Sequence, residues 1–185
     1  MSKDTNRESR LFHVLEVMAT ITKELLKYGI KPIIVGGTAV EFYTTGGYNT
    51  IDIDVVAPRH DIIAKVLDLY GFKKTTGRHW YNEKYDIAIE LPDNVLDGSI
   101  DKVLEVDINS EKVYIIGIED IIIDRLCAYK FWDSKDDGMW AKNMLNIHWN
   151  EIDFDYLHET AMKKGVGDVL NVIINAIKSN KTNVE

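Results

Sequence analysis

Cysteine, long apolar runs and basic charge are all scarce in this sequence, and each shortage excludes a class of protein. Only one of the 185 residues is cysteine, Cys127, so no disulfide can form within the chain and a reducing compartment is expected. No apolar run approaches the length of a membrane span, and the polar start MSKDTNRESR lacks the hydrophobic region of a signal peptide. We therefore expect a cytoplasmic protein with no membrane partner.

Positive charge is outnumbered by negative charge. The chain has 22 Lys and Arg residues against 30 Asp and Glu residues, which gives a formal net charge of −8 and a pI near 5.1. This balance argues against a broad basic surface for nucleic acids. An RNA substrate would therefore have a small footprint.

The rest of the composition is that of an ordinary folded protein. Hydrophobic residues make up 45% of the chain and charged residues 28%. This length is enough for one compact domain, or for a small α/β core with a helical appendix. Two large independent domains are not expected.

The most informative pattern lies in the segment KPIIVGGTAVEFYTTGGYNTIDIDVVA. Ile33–Val35 is an apolar run that predicts a buried strand, and it stops at the pair Gly36 and Gly37. A short helix is predicted next, with Thr38 as its N-cap. A second strand is predicted over Ile51–Val56, where two acids alternate with β-branched residues.

The two acids of that strand, Asp52 and Asp54, are two residues apart and therefore point to the same face. Ile51, Ile53 and Val55 are predicted to enter the core on the other side. Two adjacent carboxylates repel each other, and the cost is relieved when they share a proton or bind a hard divalent cation. Oxygen ligands of this kind suit Mg²⁺, with Mn²⁺ as the alternative.

The glycine pair supplies a complementary feature. Gly36 and Gly37 leave backbone N–H groups uncovered at a helix N-terminus, where a phosphate can dock. Alone, such a pair is more often a tight turn, and an Asp-X-Asp strand is often a solvated face. The two features in this order, a short helix apart, predict neighbouring phosphate and metal sites.

This arrangement resembles the signature of the polymerase-β-like nucleotidyltransferase superfamily. The GGTAV and TIDIDVV segments are most similar to small bacterial nucleotidyltransferase-like proteins that include the AbiEii toxin type. The close match covers residues 33 to 56, with a weaker likeness through residue 145. The resemblance implies that Gly36, Gly37 and Thr38 hold a triphosphate and that Asp52 and Asp54 ligate magnesium.

The resemblance also requires a third carboxylate on a later strand. Tyr85–Leu91 is predicted to be that strand, with Asp86 and Glu90 on one face. Glu90 lies near its end, where the resemblance places the ligand, so we prefer it to Asp86; an ordinary surface acid is an equal alternative. Arg78 is the best nearby candidate for a triphosphate contact, because guanidinium pairs well with phosphate. Its alternative is an ordinary surface arginine.

One feature departs from the family pattern. Related sequences often carry a basic residue shortly before the Thr-X-Asp-X-Asp segment, where this chain has Tyr48 and Asn49. Lys130 could reach the same phosphates, or it could complement the C-terminus of its own helix. His79 has no metal-ligand spacing with the other histidines and is expected to be structural or substrate-adjacent.

The predicted fold is α+β, with a mixed sheet, flanking helices and a C-terminal helical region. Further short strands are predicted at 72–75 and 79–82, and residues 103–116 are predicted to form a hairpin at the sheet edge. Residues 1–117 are expected to form a nucleotidyltransferase-like core. Residues 118–180 are expected to be a helical region packed on this core, and residues 181–185 a flexible tail.

The resemblance implies two-metal nucleotidyl transfer, in which Asp52, Asp54 and Glu90 hold the ions and a hydroxyl acceptor attacks the α-phosphate of a nucleoside triphosphate. The acceptor is an RNA end, a protein or a small molecule. A different class of function is a non-catalytic nucleotide-binding or protein-interaction module of a defence system, with an antitoxin-type protein partner. A metal-dependent phosphodiesterase is a third alternative, because it would use the same carboxylates without a triphosphate site.

Overall fold

The structure, a computed structural model, describes the backbone of residues 3–48 and 50–182 and the side chains of residues 10–48 and 50–179. The chain divides between Gly117 and Ile118 into two compact units. The first unit contains the sheet, and the second is helical in its described residues. The packing of the helical region on the core stays a prediction.

Helices and strands of the first unit follow one another much as the sequence pattern predicts. Its helices are α1 (Lys3–Leu26), α2 (Gly36–Tyr43) and α3 (His60–Leu69). Its strands are β1 (Ile33–Val35), β2 (Asp52–Val56), β3 (Lys73–Lys74), β4 (His79–Asn82), β5 (Ile87–Glu90), β6 (Leu104–Ile108) and β7 (Glu111–Ile115). A single 3-10 turn covers Ile100–Lys102.

All of these strands join one sheet, in the order β3-β4-β5-β2-β1-β7-β6. Strands β2 and β5 pair in parallel, as do β1 and β7, whereas the other neighbours are antiparallel. The sheet is therefore mixed, and the predicted α+β class is confirmed. Strand β6 is an edge, as the hairpin prediction requires, and the β6–β7 turn places Asn109 and Ser110 at positive φ.

Strand β2 separates apolar from acidic side chains, as its alternation predicts. Ile53 and Val55 are buried, while Asp52 and Asp54 are partly exposed on the opposite face. The prediction for Ile51 is wrong, because its side chain is 79% exposed. The strand begins at Asp52, so Ile51 precedes the first paired residue and does not follow the alternation of the sheet.

Helix α2 begins directly at the end of β1. Gly36 has a φ of +59°, which turns the chain sharply, and Val35 occupies the N-cap position without a side-chain hydrogen bond. Thr38 is therefore the third residue of the helix, and its prediction as the N-cap is wrong. This short connection brings the start of α2 next to β2, the neighbour of β1.

The second unit consists of α4 (Ile118–Phe131), α5 (Lys135–Ile147), α6 (Phe154–Lys163) and α7 (Gly167–Thr182) in its described residues. Two buried acids of α4 have partners within the unit: Glu119 accepts from the backbone N–H of Asp153 at 2.8 Å, and Asp120 accepts from the Tyr156 hydroxyl at 2.7 Å. Burial and the hydrogen bond to Asp120 together raise the pKa of Tyr156 to about 12.

Two sequence predictions concern the ends of these helices. Lys130 binds the Asp168 carboxylate at 2.6 Å and the Gly165 carbonyl at 2.8 Å, both in its own unit. Helix α7 extends through Thr182, so the predicted tail is helical at its start, and its residues 183–185 lie outside the described residues. None of the described helices is long and apolar enough to span a bilayer.

Candidate active site and metal centre

Three neighbouring strands bring polar side chains together on one face of the sheet. In the β4–β5 pair, His79 lies opposite Glu90, and in the β5–β2 pair, Glu90 lies opposite Asp54. Asp52 is two residues before Asp54 on the same face of β2. The register therefore places residues from three separate segments of the sequence in one row.

Three of these side chains, Asp52, His79 and Glu90, converge. Each offers one ligand atom, and these atoms all lie within 4.8 Å of one another. Within the described part of the chain, no other trio of His, Cys or acidic side chains comes this close. The structure thus brings together two of the three predicted carboxylates and adds His79, which the sequence analysis had not assigned as a ligand.

The Glu90 side chain is largely enclosed, at 14% exposed against 40% for His79. Its Oε1 pairs with Nε of Arg78 at 2.5 Å, and its Oε2 faces Nδ1 of His79 at 3.7 Å. Arg78 also donates from a guanidinium N–H to the carbonyl of Pro92 at 3.1 Å. The arginine predicted to contact a triphosphate therefore lies beside the candidate metal ligands and neutralises one of them.

Asp86, the alternative third acid, lies elsewhere. It precedes β5, has a φ of +52°, and accepts a hydrogen bond from the Tyr81 hydroxyl at 2.8 Å. This hydrogen bond is the main cause of the raised pKa of Tyr81, followed by desolvation and then by the charge of Asp86. Glu90, and not Asp86, is the acid that shares the row with Asp52.

Asp54 lies against the glycine bend. A Cβ atom added to Gly36 would overlap the Asp54 carboxylate, and the positive φ of Gly36 is a second reason why a side chain is unfavourable there. Glycine at this position lets the carboxylate of β2 approach the start of α2. The predicted metal acid and the predicted phosphate bend are therefore direct neighbours.

Gly37 and Thr38 are less accessible than the sequence analysis assumed. A Cβ on Gly37 would be 2.9 Å from Oγ1 of Thr50 and 3.0 Å from Cε1 of Tyr48, so these two side chains lie close over the second glycine. Thr38 is 1% exposed, and its hydroxyl donates to the backbone carbonyl of Asp52 at 3.2 Å. The partly exposed part of the bend is Gly36.

The backbone carbonyl of Asp52 accepts two side-chain hydrogen bonds. Thr50 donates from its hydroxyl to the same Asp52 carbonyl at 3.1 Å, in addition to the bond from Thr38. The Thr50 hydroxyl also lies 3.5 Å from Oδ1 of Asp52. These contacts fix the point at which β2 enters the site.

A basic residue that the sequence analysis missed lies beside this entry point. The guanidinium of Arg10 in α1 donates to the carbonyl of Thr50 at 2.5 Å and lies 3.4 Å from that of Ile51. It thus places positive charge just before Asp52, where the sequence itself has Tyr48 and Asn49; Asn49 lies outside the described residues. Nothing in the local sequence signals this contact, because the two partners are 40 residues apart.

The donor set fits a divalent cation. Carboxylate oxygens from Asp52 and Glu90 suit Mg²⁺ or Mn²⁺, and the imidazole of His79 is a common ligand of transition ions. Asp54 supplies a further carboxylate on the same face of β2. Arg78 offsets part of this negative charge through its ion pair with Glu90.

Solved structures identify the fold. An antigenic nucleotidyltransferase-like protein from Paracoccidioides brasiliensis superposes with a TM-score of 0.55 at 16% identity, over 75% of each chain. The antibiotic-resistance factor ANT(2'')-Ia superposes with a TM-score of 0.52 at 14% identity, over 97% of this chain and 99% of that one. Its complex with adenylyl-2''-tobramycin gives a TM-score of 0.50 at 13% identity, over 91% and 98%. The fold is that of a nucleotidyltransferase.

The chain belongs to the family described as "Nucleotidyltransferase of unknown function" (DUF6036), whose sequence profile matches residues 9–181. No curated protein sequence matches the chain significantly. The resemblance to nucleotidyltransferases that the GGTAV and TIDIDVV segments predict is confirmed. The finer likeness to the AbiEii type stays a prediction.

Proposed function

We propose that this protein is a metal-dependent nucleotidyltransferase that moves a nucleoside monophosphate from a nucleoside triphosphate to a hydroxyl acceptor. The observation that carries the proposal is the convergence of Asp52 and Glu90 within 4.8 Å, in a member of a nucleotidyltransferase family. Asp54 adds a third carboxylate beside the Gly36 bend. Acids gathered on one face without a cation would repel each other, so their clustering supports a cation site.

In this proposal, Asp52, Asp54 and Glu90 hold divalent metal ions, Mg²⁺ or Mn²⁺. When bound, such ions would lower the pKa of an acceptor hydroxyl and neutralise charge on the leaving group. Thr38 and Thr50 act indirectly, because their hydroxyls hold the backbone of Asp52. They are positioning residues.

The triphosphate is proposed to lie against the start of α2. Backbone N–H groups at a helix N-terminus favour anions, and Gly36 leaves this end partly exposed. Arg78 is an accessible source of positive charge, because its side chain is 58% exposed, against 14% for its partner Glu90. We expect Arg78 to exchange Glu90 for a phosphate when substrate binds.

The reaction is a substitution at the α-phosphorus. A bond forms between the acceptor oxygen and the α-phosphorus, the bond from this phosphorus to the bridging oxygen of the β-phosphate breaks, and pyrophosphate leaves. The proton of the acceptor hydroxyl passes to the surrounding water. The chain contributes alignment and an anionic cage for the ions, which is the main protein contribution in phosphoryl transfer.

The acceptor is an RNA end, a protein hydroxyl or a small molecule. Net charge of −8 disfavours a large nucleic-acid footprint. ANT(2'')-Ia is described in complex with an adenylylated tobramycin. A small hydroxyl compound is therefore the first acceptor class to test, followed by RNA ends and proteins.

The test uses purified protein, the four α-labelled nucleoside triphosphates and either Mg²⁺ or Mn²⁺, with each acceptor class in turn. We expect label transfer and pyrophosphate release by the natural protein, and neither by Asp52→Asn. Asp107→Asn serves as the matched control, because Asp107 lies on the opposite edge strand, β6, and is exposed. Equal activity in the Asp52→Asn and Asp107→Asn variants would refute the proposed site.

Two contacts favour a second candidate, a non-catalytic nucleotide-binding or protein-interaction module with an antitoxin-type partner. Glu90 is already neutralised by Arg78, and the Thr38 hydroxyl is buried on the Asp52 carbonyl. Both contacts engage groups that the resemblance assigns to the metal ions or the triphosphate. Metal-dependent triphosphate binding with no transfer to any of the three acceptor classes would favour this module over the enzyme.

A further inference from the structure

His79 is the one member of the converging trio that the nucleotidyltransferase resemblance does not account for. We propose that His79 is a nitrogen ligand of the metal centre and that it makes this centre bind Mn²⁺ more tightly than Mg²⁺. The inference rests on the proposed function for its carboxylate ligands. Beyond that function, it assigns His79 as a ligand and gives the centre a preference for Mn²⁺.

The distance between His79 and Glu90 is the first argument. Nδ1 of His79 and Oε2 of Glu90 are 3.7 Å apart, which is longer than a hydrogen bond. Two ligands that each lie roughly 2.1 Å from one ion are at most ~4.2 Å apart. The separation therefore suits two ligands of a common ion better than a direct contact.

The two oxygens of Glu90 have different surroundings. Oε1 is paired with Arg78 at 2.5 Å, whereas Oε2 faces the imidazole. An ion between Oε2 and Nδ1 would therefore leave the Arg78 pair intact. The ligand atom of Asp52 lies within 4.8 Å of the other two ligand atoms. A small movement of the three side chains toward one another would therefore complete a three-ligand site.

The fold holds His79 in place while leaving its ring accessible. The residues that follow it in β4 anchor the strand from the opposite face: Trp80 and Asn82 are buried, and Asn82 donates to the Tyr70 carbonyl at 2.9 Å. The His79 side chain is 40% exposed. An ion can therefore enter from solvent without unfolding the strand.

The chemistry of the donor atoms sets the ion preference. Mg²⁺ is bound by oxygen ligands and keeps much of its water, so an imidazole adds little to its affinity. First-row transition ions gain from nitrogen ligands, and Mn²⁺ also accepts carboxylates. An Asp, His and Glu set should therefore favour Mn²⁺ over Mg²⁺ more strongly than three carboxylates would.

The test measures binding and not turnover. Mn²⁺ is titrated into the full chain by electron paramagnetic resonance, with and without a non-hydrolysable triphosphate, and Mg²⁺ affinity is obtained by competition. Electron spin-echo modulation then reports whether a nitrogen is bonded to the Mn²⁺. The test variant is His79→Gln, and the matched control is His148→Gln. His148 also faces a carboxylate, that of Glu151 at 2.8 Å, but it belongs to no candidate metal-binding trio among the described residues.

We expect nitrogen coupling in the natural protein and in His148→Gln, and its loss in His79→Gln. The His79→Gln change should weaken Mn²⁺ binding about tenfold or more, and Mg²⁺ binding by less than about threefold. Bound Mn²⁺ without nitrogen coupling in the natural protein would overturn the inference. So would equal weakening of both ions in His79→Gln, or no Mn²⁺ binding under either condition.

The outcome is independent of the transfer assay. Nucleotidyl transfer in a protein whose bound Mn²⁺ shows no nitrogen coupling refutes the role of His79 and leaves the proposed function standing. Nitrogen coupling that depends on His79, in a protein without transfer activity, supports the metal ligand and counts against the proposed enzyme.

Discussion

The two faces of strands β4, β5 and β2 differ in almost every respect although they share one backbone. One face carries Trp80, Ile87, Ile89 and Ile53, all buried. The other face carries the site row, which we define as His79, Glu90, Asp54 and Asp52. The first face gains free energy by removing apolar surface from water, and the second loses free energy by holding acids together.

This contrast shows how the sheet can maintain an unfavourable arrangement. Each site-row residue has a buried neighbour in the same strand, so the polar face cannot rearrange without disturbing the core. Substitutions on the two faces should therefore have opposite consequences. On the core face they should reduce stability, and on the site row they should reduce function while changing stability little.

The largest effect is expected from Asp54→Asn on the site row. Loss of this carboxylate should reduce nucleotidyl transfer on the order of a thousandfold, or about 4 kcal/mol in the barrier. The melting temperature should change little, since asparagine keeps the size of the side chain and Asp54 is only partly buried. Transfer rates and melting temperatures of the variant and the natural protein check this. A large drop in melting temperature would mean that Asp54 stabilises the fold.

The core face should respond in the opposite way to Ile89→Ala. Ile89 is 1% exposed, so its truncation leaves a cavity and should lower the free energy of unfolding by about 3 kcal/mol. Urea denaturation measures the change. Ile51→Ala is the matched control: the same substitution at an exposed site should change stability by less than about 0.5 kcal/mol. Similar losses for the two variants would contradict the burial contrast.

Gly36→Ala tests the place where the site row meets α2. The substitution combines a positive φ with a clash against the Asp54 carboxylate, and we expect a loss of roughly 2 kcal/mol in stability together with reduced transfer. Gly77→Ala measures the cost of the positive φ alone, because Gly77 has a φ of +54° and open space at its Cβ position. If the two variants lose equal stability, the close approach of Asp54 has no energetic consequence.

The core face could be predicted from the sequence because its pattern is local. Alternation of Asp52 to Val56 identifies which side chains enter the core, and the run Ile33–Val35 before two glycines identifies β1. The two local errors have local causes. Ile51 lies one residue before the strand, and Thr38 lies two residues inside a helix that begins without a connecting loop.

The site row could be predicted only in part because its geometry depends on register between strands. His79 joins the acids through its pairing with Glu90 across β4 and β5, which no spacing in the sequence indicates. Arg10 reaches Thr50 from a helix 40 residues earlier. Asp86 and Glu90 look equivalent in the alternation, but the positive φ at Asp86 removes it from the strand.

A smaller effect is expected from Arg78→Gln, which tests the contact between the site row and its neighbouring cation. Removing the cation beside Glu90 should raise the affinity for Mg²⁺ and Mn²⁺ alike, by about fivefold, since an ion pair whose arginine is 58% exposed contributes ~1 kcal/mol. Metal titration measures both affinities. Any preference for one ion in this variant would argue against a purely electrostatic role, which distinguishes Arg78 from His79.

The smallest effect concerns Tyr81, which shares the site face with the acids but has its own partner in Asp86. Asp86 raises the pKa of Tyr81, so this contribution to stability is present below the ordinary tyrosine pKa and is lost as pH rises through the folded-state pKa. Asp86→Asn removes the charge, and Asp86→Gly also removes the hydrogen-bond acceptor; both residues tolerate the positive φ. Ultraviolet titration, with Tyr81→Phe subtracted, should give a Tyr81 pKa that is highest in the natural protein, lower in Asp86→Asn and lowest in Asp86→Gly. If neither substitution lowers the pKa of Tyr81, Asp86 is not the group that raises it.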